Sequence, residues 1–594
     1  MIASAMDFSE DDKIGRVSGV DTSRVLIEVD DHTLLTRMSV SNIVAVQGAT
    51  ANEFLIGIVD RIVRTTRQQA LLDEEDDQGV VPIGEAESDL VRVVLVGTYR
   101  KVDGERRNNF KRGADSFPQI ERECYLVEGS NLQRLMSYFA SDIPTNERLQ
   151  LGRFVADQSA LAVADGNRFF QRHAALLGST GSGKSWSVAL ILERASALKY
   201  PNILVFDLHS EYRSLNANAH PGEGFASGYR IAGPGDLDEA EKAAVFLPYW
   251  LLNHDEMLAL LLDRSDQNAP NQASRFSTHV RDLKEQTLAS TGLGDVLKTF
   301  TVDSPVPYSL EELLERLEND DAEMIPGARS EKQGPFFGKL TRFIARLRAK
   351  ISDRRYGFLF QPPPTALAYD WLVTHARRFL GAGDNHPGIK IIDFSEVPSD
   401  VLPIVTGVFA RVLYDVQFWT AEDARTPFAI ICDEAHQYLP VREFSDAPQS
   451  RALEVFERIA KEGRKYGVSL LVVSQRPSDV NRTILSQCNN FVVLRLTNDQ
   501  DQAVVRRLMP DSMAGLIDAL PLLDVGEALL LGDAVVLPTR LKFDKPRIKP
   551  DSATRNFWSE WATRAPDLES IDQAVDCMRR QIRLAGADQG VLDV

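Results

Sequence analysis

Eight consecutive residues in the first third of the chain carry the pattern of a phosphate-binding loop. They fit G-x-x-x-x-G-K-[ST] without a mismatch and are Gly178, Ser179, Thr180, Gly181, Ser182, Gly183, Lys184 and Ser185. Glycine lets the backbone bend so that several N–H groups face one anion, and the N-terminus of a following helix adds the positive end of its dipole. Lys184 is placed to reach the β- and γ-phosphates of ATP, and the Ser185 hydroxyl to ligate Mg²⁺.

The segments on either side of this loop have the patterns that it requires. The apolar run Ala174–Leu177 predicts a short strand that leads into the loop. After the loop, apolar residues recur at helical spacing, at Val188, Ala189, Ile191, Leu192 and Ala195. A chance Gly/Ser turn would lack this strand–loop–helix context. The sequence therefore predicts that the chain binds ATP, with Mg²⁺ as its metal.

A second apolar strand ends in two acids. Residues 428–432 read Phe-Ala-Ile-Ile-Cys, and Asp433 and Glu434 follow directly. Because the carboxyl ends of parallel strands line the ligand crevice, these acids are expected at the nucleotide. Asp433 is predicted to hold Mg²⁺, and Glu434 to orient and polarise the attacking water.

Two other polar residues each have two interpretations. Gln475 lies just after the predicted strand 469–473. It is either a sensor of the γ-phosphate or part of a plain strand-to-loop transition. Arg464 lies at the end of a predicted helix. A basic residue there complements the helix dipole, or it projects across a subunit interface as an arginine finger.

Two further groups of polar residues carry weaker signals. Asp207, His209 and Glu211 follow a predicted strand, which favours a role beside the γ-phosphate over transition-metal binding. The segment 329–355 contains nine Lys or Arg residues and two acids. That segment suits either a contact with a nucleic-acid backbone or a solvated amphipathic helix.

Composition and charge describe an ordinary globular chain. Its 594 residues, 44% hydrophobic and 26% charged, are too many for one core. No apolar stretch reaches the roughly 18 residues of a membrane helix, and the acidic N-terminus lacks a signal-peptide pattern, so a cytoplasmic location without a membrane is expected. The four cysteines have no paired spacing, which argues against a zinc site. The net charge of −18 argues against a protein whose outer surface is covered by nucleic acid, but it is compatible with a local basic channel.

The pattern of elements changes along the chain. Short β-rich runs suggest a small antiparallel β-barrel at the N-terminus, with the acidic run Asp73–Asp77 as a loop. Alternating strands and helices then predict an α/β fold with a parallel-rich sheet. The predicted domains are the barrel at 1–135, the first part of the core at 136–212, a mainly helical insertion at 213–387, the second part of the core at 388–540, and a C-terminal arm with helices at 541–594. Helices expected in the insertion include Glu239–Phe246, His254–Leu262, Leu310–Leu317 and Lys339–Ile351.

These motifs together resemble the HerA family of hexameric DNA translocases, within the HerA/FtsK group of RecA-like P-loop ATPases. Besides the phosphate loop, the resemblance is carried by Asp207–Tyr212, Ile391–Phe394, Asp433–His436, Gly463–Gly467 and Ser474–Pro477. It also includes the architecture, a small HAS-barrel-like domain followed by an ATPase core with a helical insertion. The resemblance covers the chain to about residue 540.

By motif position, the resemblance implies that Glu434 is catalytic, that Gln475 is the sensor and that Arg464 is a finger acting in trans. It also implies a homohexameric ring that binds ATP between subunits and pumps double-stranded DNA through a central channel. A nuclease or sirtuin-like effector would dock on the N-terminal barrel, in anti-phage defence or in DNA end processing. The tail would latch onto a neighbouring subunit through Trp558 and Trp561, unless these pack within the chain. The alternative is a nucleotide-controlled ring scaffold that assembles and activates an effector without obligatory translocation.

Overall fold

The computed structural model describes residues 5–21, 24–50, 52–66, 87–101, 108–217, 222–238, 243–327, 330–382, 388–444, 447–510, 513–552 and 555–581. Its strands are β1 (Lys13–Asp21), β2 (Arg24–Val29), β3 (Ile43–Gln47), β4 (Glu53–Thr66), β5 (Glu87–Lys101), β6 (Asn108–Arg112), β7 (Glu123–Val127), β8 (Arg148–Phe154), β9 (Leu161–Asp165), β10 (Ala174–Leu177), β11 (Ile203–Asp207), β12 (Ala226–Ile231), β13 (Ala244–Val245), β14 (Met324–Ile325), β15 (Lys332–Gln333), β16 (Ile389–Asp393), β17 (Phe428–Cys432), β18 (Val468–Ser474), β19 (Asn490–Leu494), β20 (Glu527–Gly532) and β21 (Thr539–Phe543).

Its α-helices are α1 (Gly129–Ser141), α2 (Gly166–Gln171), α3 (Lys184–Ser196), α4 (His254–Leu261), α5 (Ala269–Ser290), α6 (Gly294–Leu297), α7 (Leu310–Ala322), α8 (Thr341–Ser352), α9 (Gly357–Phe360), α10 (Trp371–Leu380), α11 (Leu402–Trp419), α12 (Ala447–Glu462), α13 (Arg482–Gln487), α14 (Asp499–Leu508), α15 (Ala514–Asp518), α16 (Phe557–Thr563) and α17 (Leu568–Arg580). Short 3₁₀ turns connect several of them. The first compact unit comprises Met1–Ala195, Val473–Ser478 and Leu485–Arg547. The second comprises Ser196–Val472, Asp479–Ile484 and Ile548–Val594.

The first unit begins with a closed antiparallel barrel. Its strands follow the order β2-β1-β7-β3-β4-β5, β2 also pairs with β5, and β6 extends the sheet beside β5. Burial alternates along β2, where Val25, Ile27 and Val29 are buried and Leu26 and Glu28 are exposed. This alternation places one face of each strand in the barrel core. The predicted N-terminal barrel is confirmed, and the acidic run Asp73–Asp77 lies outside the described residues.

The remainder of the first unit carries the strand that leads into the phosphate loop. β10 pairs in parallel with β19, and the sheet continues through antiparallel pairs to β20, β21, β8 and β9. All four residues of β10 are buried, and α3 begins seven residues after β10 ends. The predicted strand and helix around the loop are therefore present.

The second unit contains a parallel sheet with the order β13-β12-β16-β11-β17-β18. β11 and β17 are buried at every residue, as expected for central strands covered on both faces. Together with the first unit, these strands confirm the predicted α/β class with a parallel-rich sheet.

Part of the predicted helical insertion belongs to this sheet. β12 and β13 lie within 213–387, and β12 pairs with β16. The predicted helix Glu239–Phe246 is wrong in its described part, because β13 occupies that position. A short continuous apolar run such as Ala244–Leu247 suits either a strand or a helix, so periodicity alone did not separate them. The other three named helices are present as α4, α7 and α8.

The described part of the C-terminal tail contains two exposed helices, α16 and α17. Trp558 is 85% exposed and Trp561 is 72% exposed, with only Phe557 stacking edge-on against Trp561. Neither tryptophan packs into a core of the described chain, so anchoring on another subunit stays a prediction. No helix in the described ranges is long and apolar enough to cross a membrane.

A buried ion pair joins α4 to α11 in the second unit. Arg411 donates two hydrogen bonds of 2.8 Å to the Glu256 carboxylate and one of 2.7 Å to the Leu251 carbonyl. Glu256 also accepts from the Asn253 amide, which caps the start of α4. The pair therefore links the helical layer, meaning the helices within residues 213–387, to α11.

Replacing Glu256 with Ala should lower the free energy of unfolding of the second unit by about 3 kcal/mol. The variant removes the closer of two carboxylates that pair with a largely buried guanidinium and leaves only Asp415, at 3.4 Å. Hydrogen–deuterium exchange of the α4 and α11 amides measures this loss. Asp255→Asn is the matched control, because Asp255 pairs with Arg451 at a half-exposed position and should contribute less than about 1 kcal/mol. Equal losses in both variants would contradict a special role for the buried pair.

Candidate ATP site and trans finger

Backbone hydrogen bonds within the first unit fix the position of the phosphate loop. The Gly178 amide donates to the Ser474 carbonyl at 3.2 Å, and the Ser179 amide to the Arg495 carbonyl at 2.8 Å. The Ser182 carbonyl accepts from the Gly526 amide at 2.9 Å. These bonds tie the loop to three neighbouring chain segments, so its shape exists before any nucleotide binds.

Glycine is required within the loop for its backbone geometry. Gly181 has a φ of +72° and Gly183 a φ of +106°, in the region that glycine adopts most readily. α3 begins at Lys184, so its first N–H groups open towards the loop. An anion held there meets the positive end of the helix dipole.

The side chains of the loop fit a phosphate group. The Ser182 side chain is fully buried, and its Oγ has no hydrogen-bond partner among the described residues. A buried hydroxyl without a partner is unfavourable, and a phosphate oxygen would satisfy it. Lys184 is 8% exposed, and its Nζ lies 3.4 Å from the Ser179 carbonyl, folded over the loop. The donor set therefore suits the triphosphate of ATP.

Gln475 lies against this loop. Its Oε1 accepts a hydrogen bond from the Thr180 hydroxyl, and both residues belong to the first unit. The Ser474 hydroxyl accepts from the Arg476 amide, which turns the chain directly after β18. The contact places Gln475 beside the loop, as a γ-phosphate sensor requires, and its sensing role stays a prediction.

The predicted acids lie at the carboxyl end of β17 in the second unit. Asp433 is 3% exposed and Glu434 is 7% exposed, and the Asp433 amide donates to the Phe206 carbonyl at 3.3 Å. Burial raises the pKa of Asp433 well above its usual range, and the charges of Glu434 and Asp207 raise it further. A cation would relieve this crowding of carboxylates, which fits a Mg²⁺ ligand.

Glu434 has a backbone conformation that is unusual for its type. Its φ of +44° and ψ of +44° place it in the left-handed region, which costs a residue with a side chain about 1 kcal/mol or more. Its Oε2 lies 3.2 Å from His436 Nδ1. Sequence reasoning assigned no role to His436, although its place two residues after Glu434 is visible in the motif.

Asp207 organises the loop that follows β11. It is fully buried, and its carboxylate accepts hydrogen bonds from the amides of His209, Glu211 and Tyr212 at 3.2, 3.0 and 2.9 Å. Burial raises the pKa of Asp207 to about 7, although these three bonds act against the shift. Asp207 is therefore an anchor for this loop, and the exposed His209 instead contacts Gln437 at 3.1 Å.

Arg464 lies on a 3₁₀ turn, Gly463–Tyr466, between α12 and β18. Its side chain is exposed and makes no ion pair or hydrogen bond with the residues that the structure describes. An arginine that only complemented a helix C-terminus would contact the last carbonyls of α12. The geometry is therefore compatible with a finger that acts on another subunit, and this role stays a prediction.

Several cations of the basic segment pair with acids of the second unit, whereas Arg329 lies outside the described residues. Arg346 pairs with Asp263 at 2.8 Å, Lys350 with Asp400 at 3.3 Å, and Arg342 approaches Asp266 at 3.8 Å. Leu340, Phe343, Ile344 and Leu347 are buried on the opposite side. The solvated amphipathic helix is therefore the interpretation that the contacts favour over a contact with DNA.

A strand, a glycine-rich loop and a helix in this arrangement define a P-loop ATPase. Residues 149–413 match the protein family described as "Helicase HerA, central domain". The chain is 25% identical over 454 residues to a probable helicase of Methanocaldococcus jannaschii, covering 75% of each protein. It is 26% identical over 439 residues to the DNA double-strand break repair helicase HerA of Pyrococcus furiosus, covering 68% of this chain and 72% of that one.

Among solved structures, VirB4 of Thermoanaerobacter pseudethanolicus covers 68% of this chain and 98% of its own, at 17% identity and a TM-score of 0.43. The match over residues 149–413 and the similarity to the two helicases confirm the resemblance derived from the motifs. Residues 149–413 therefore carry a HerA-type central domain of the P-loop ATPases, and the chain is similar to helicases of that family.

Gly178→Ala should weaken ATP binding at least about tenfold, equivalent to about 1.4 kcal/mol. A Cβ at this position would lie 2.6 Å from Ser182 Oγ and 2.9 Å from Leu494 Cβ, so the loop would have to shift. Titration with a fluorescent ATP analogue measures the affinity. Gly294→Ala is the control, because Gly294 lies outside the loop, has no left-handed φ, and a Cβ there would meet nothing within 4 Å. An unchanged affinity in Gly178→Ala would show that the loop tolerates a side chain there.

Proposed function

We propose that the chain is an ATP-driven motor that translocates double-stranded DNA as a homohexameric ring. The observation that carries this proposal is the pairing of a preformed phosphate loop with an exposed Arg464 that has no ion-pair partner among the described residues. The first feature holds a nucleotide. The second offers a charge to a nucleotide held by another copy of the chain.

In this proposal, each residue has a defined role in hydrolysis. Lys184 and the loop amides would bind the β- and γ-phosphates, and Ser185 and Asp433 would hold Mg²⁺, which would supply positive charge to the phosphate oxygens. Glu434 orients the attacking water and accepts its proton. Gln475 senses the γ-phosphate.

Arg464 supplies the stabilising charge from a neighbouring subunit. Charge builds up on the transferred phosphoryl group in the transition state, and a guanidinium placed there accelerates hydrolysis by about 10³–10⁵. Hydrolysis in one subunit then depends on contact with the next. This dependence is what would let a ring act in sequence on one DNA duplex.

The similarity to a DNA double-strand break repair helicase supports DNA as the substrate. The N-terminal barrel is the proposed docking surface for a nuclease or sirtuin-like effector, in anti-phage defence or DNA end processing. The second candidate is a ring scaffold, in which the nucleotide state controls an attached effector without obligatory translocation. The motif residues suit both, so only turnover and movement on DNA separate them.

Glu434→Ala should reduce ATP turnover by about 10²–10⁴, the usual loss when a general base is removed. The ATP dissociation constant should change by less than about threefold, because the phosphate loop is untouched. The measurements are the steady-state rate, with and without duplex DNA, and equilibrium nucleotide binding. Glu422→Ala, at an exposed acid, is the control and should behave as wild type. Effector activity that survives in Glu434→Ala would favour the scaffold, and a wild-type rate unaffected by DNA would contradict the motor.

Mixtures of two inactive variants test whether the finger acts in trans. Lys184→Ala lacks a working phosphate loop but keeps Arg464, and Arg464→Ala has the reverse defect. Each alone should lose at least about 10²-fold in turnover. Mixed rings should regain activity, because some interfaces then join an intact loop to an intact finger. Subunits must be mixed before assembly, and a mixture as inactive as its components would contradict action between subunits.

A further inference from the structure

The turn that carries Arg464 is backed by an aromatic cluster of the second unit. The ring of Tyr466 lies 5.1 Å from the ring of Phe418 and 5.8 Å from that of Tyr414. Phe418 and Tyr414 are on α11, whereas Tyr466 ends the turn after α12. Edge-to-face and tilted contacts at these distances contribute about 0.5–1.5 kcal/mol each beyond the area they bury.

Arg425 covers the same tyrosine ring while it caps α11. Its guanidinium carbon lies 5.0 Å from the centre of the Tyr466 ring. Its Nε donates to the Thr420 carbonyl at 3.0 Å, and one Nη donates to the Phe418 carbonyl at 3.2 Å. A cation at a helix C-terminus meets the negative end of the dipole. Arg425 therefore connects the end of α11 to the turn through a cation–π contact.

The two ends of the turn are fixed by glycines. Gly463 is buried, and a Cβ there would lie 2.6 Å from the Val468 carbonyl oxygen. Gly467 has a φ of +73°, and its carbonyl accepts from the Phe428 amide at 2.9 Å. Both glycines allow the chain to reverse tightly between α12 and β18. The backbone of the turn is thus constrained at its ends and on the side of Tyr466.

Lys465, the other cation of the turn, has an aromatic contact that Arg464 lacks among the described residues. Lys465 Nζ lies 5.6 Å from the centre of the Tyr466 ring, so Lys465 joins the aromatic cluster. Arg464 has no such contact within the described part of the chain. An exposed arginine loses about 2 kcal/mol of rotamer entropy when its side chain is fixed. If the backbone that carries it is already rigid, contact with another subunit has to order only the side chain, and the entropic cost of that contact is smaller.

We propose that Tyr466 is a positioning residue for Arg464, held by Phe418 and Arg425 so that the turn presents the finger to a second copy of this chain. This inference rests on the proposed function, because it requires Arg464 to act in trans. In this proposal, Tyr466 itself contacts neither the nucleotide nor the attacking water. It acts through the backbone of the turn that it anchors.

A double-mutant cycle on ATP turnover separates positioning from general stabilisation. Tyr466→Ala should lower the turnover number about 10–100-fold, the usual effect of a misplaced catalytic group, with unchanged ATP affinity. Tyr466→Phe keeps the ring and should stay close to wild type. In the Arg464→Ala background, Tyr466→Ala should cause no further loss, because the finger it positions is already absent. A further loss of equal size in that background would overturn the proposal.

Mixed rings test the direction in which Tyr466 acts. A Tyr466→Ala, Lys184→Ala double variant should rescue Arg464→Ala less well than Lys184→Ala does, because it supplies a misplaced finger. Equal rescue would overturn the inference while leaving the trans finger intact. A wild-type rate in Arg464→Ala alone would instead overturn the proposed function.

Two further variants control for loss of structure. Trp419→Ala removes an 82% exposed ring that contacts Phe418 but not Tyr466 in the described chain, and should leave turnover unchanged. If Tyr466→Ala fails to fold, Arg425→Lys replaces it. Lysine keeps the charge at the end of α11 but lacks the planar group that stacks on the ring. The same dependence on Arg464, with a smaller loss, is expected, and a loss independent of Arg464 would overturn the proposal.

Discussion

Burying several carboxylates at the ends of parallel strands is the constraint that shapes the second unit. Like charges in a poorly solvated site oppose ionisation, so each acid needs donors or a cation nearby. Asp207 obtains three backbone N–H groups, and Glu434 lies beside His436. Burial and the charges of Glu434 and Asp207 raise the pKa of Asp433 well above its usual range. A cation at Asp433, the position assigned to the metal, would offset this crowding of negative charge.

This constraint also makes stability depend on pH. The pKa of Asp207 rises from 3.8 to about 7 on folding, because the site is buried. Between these two pH values the folded unit binds more protons at Asp207 than the unfolded chain does. The contribution of Asp207 to stability therefore falls as pH rises through that window. At neutral pH, burying ionised Asp207 lowers the free energy of unfolding. The packing of the surrounding strands must offset that loss.

The sequence predicted those parts of the site that are local in the chain. The phosphate loop, the acids after β17 and the strands around them could be predicted because each is one continuous motif with its own periodicity. The contact between Thr180 and Gln475 could not, since it joins residues almost 300 positions apart. The antiparallel strands β8, β9, β20 and β21 were missed, and β12 and β13 fell in a range assigned to helices. Short apolar runs carry too few residues to show a period of 2 or of 3.6, and pairing with distant strands decides their structure.

α11 contacts both α4 and the Gly463–Tyr466 turn, which are far apart in the sequence. It spans 18 residues, or about 27 Å, and is buried along most of its length. Arg411 holds it to α4 in the helical layer, and Tyr414 and Phe418 hold it to the turn of Arg464. A helix packed this tightly moves as a rigid rod rather than bending. It can therefore transmit force as a lever, so that a load on α4 and the position of the Gly463–Tyr466 turn depend on the same helix.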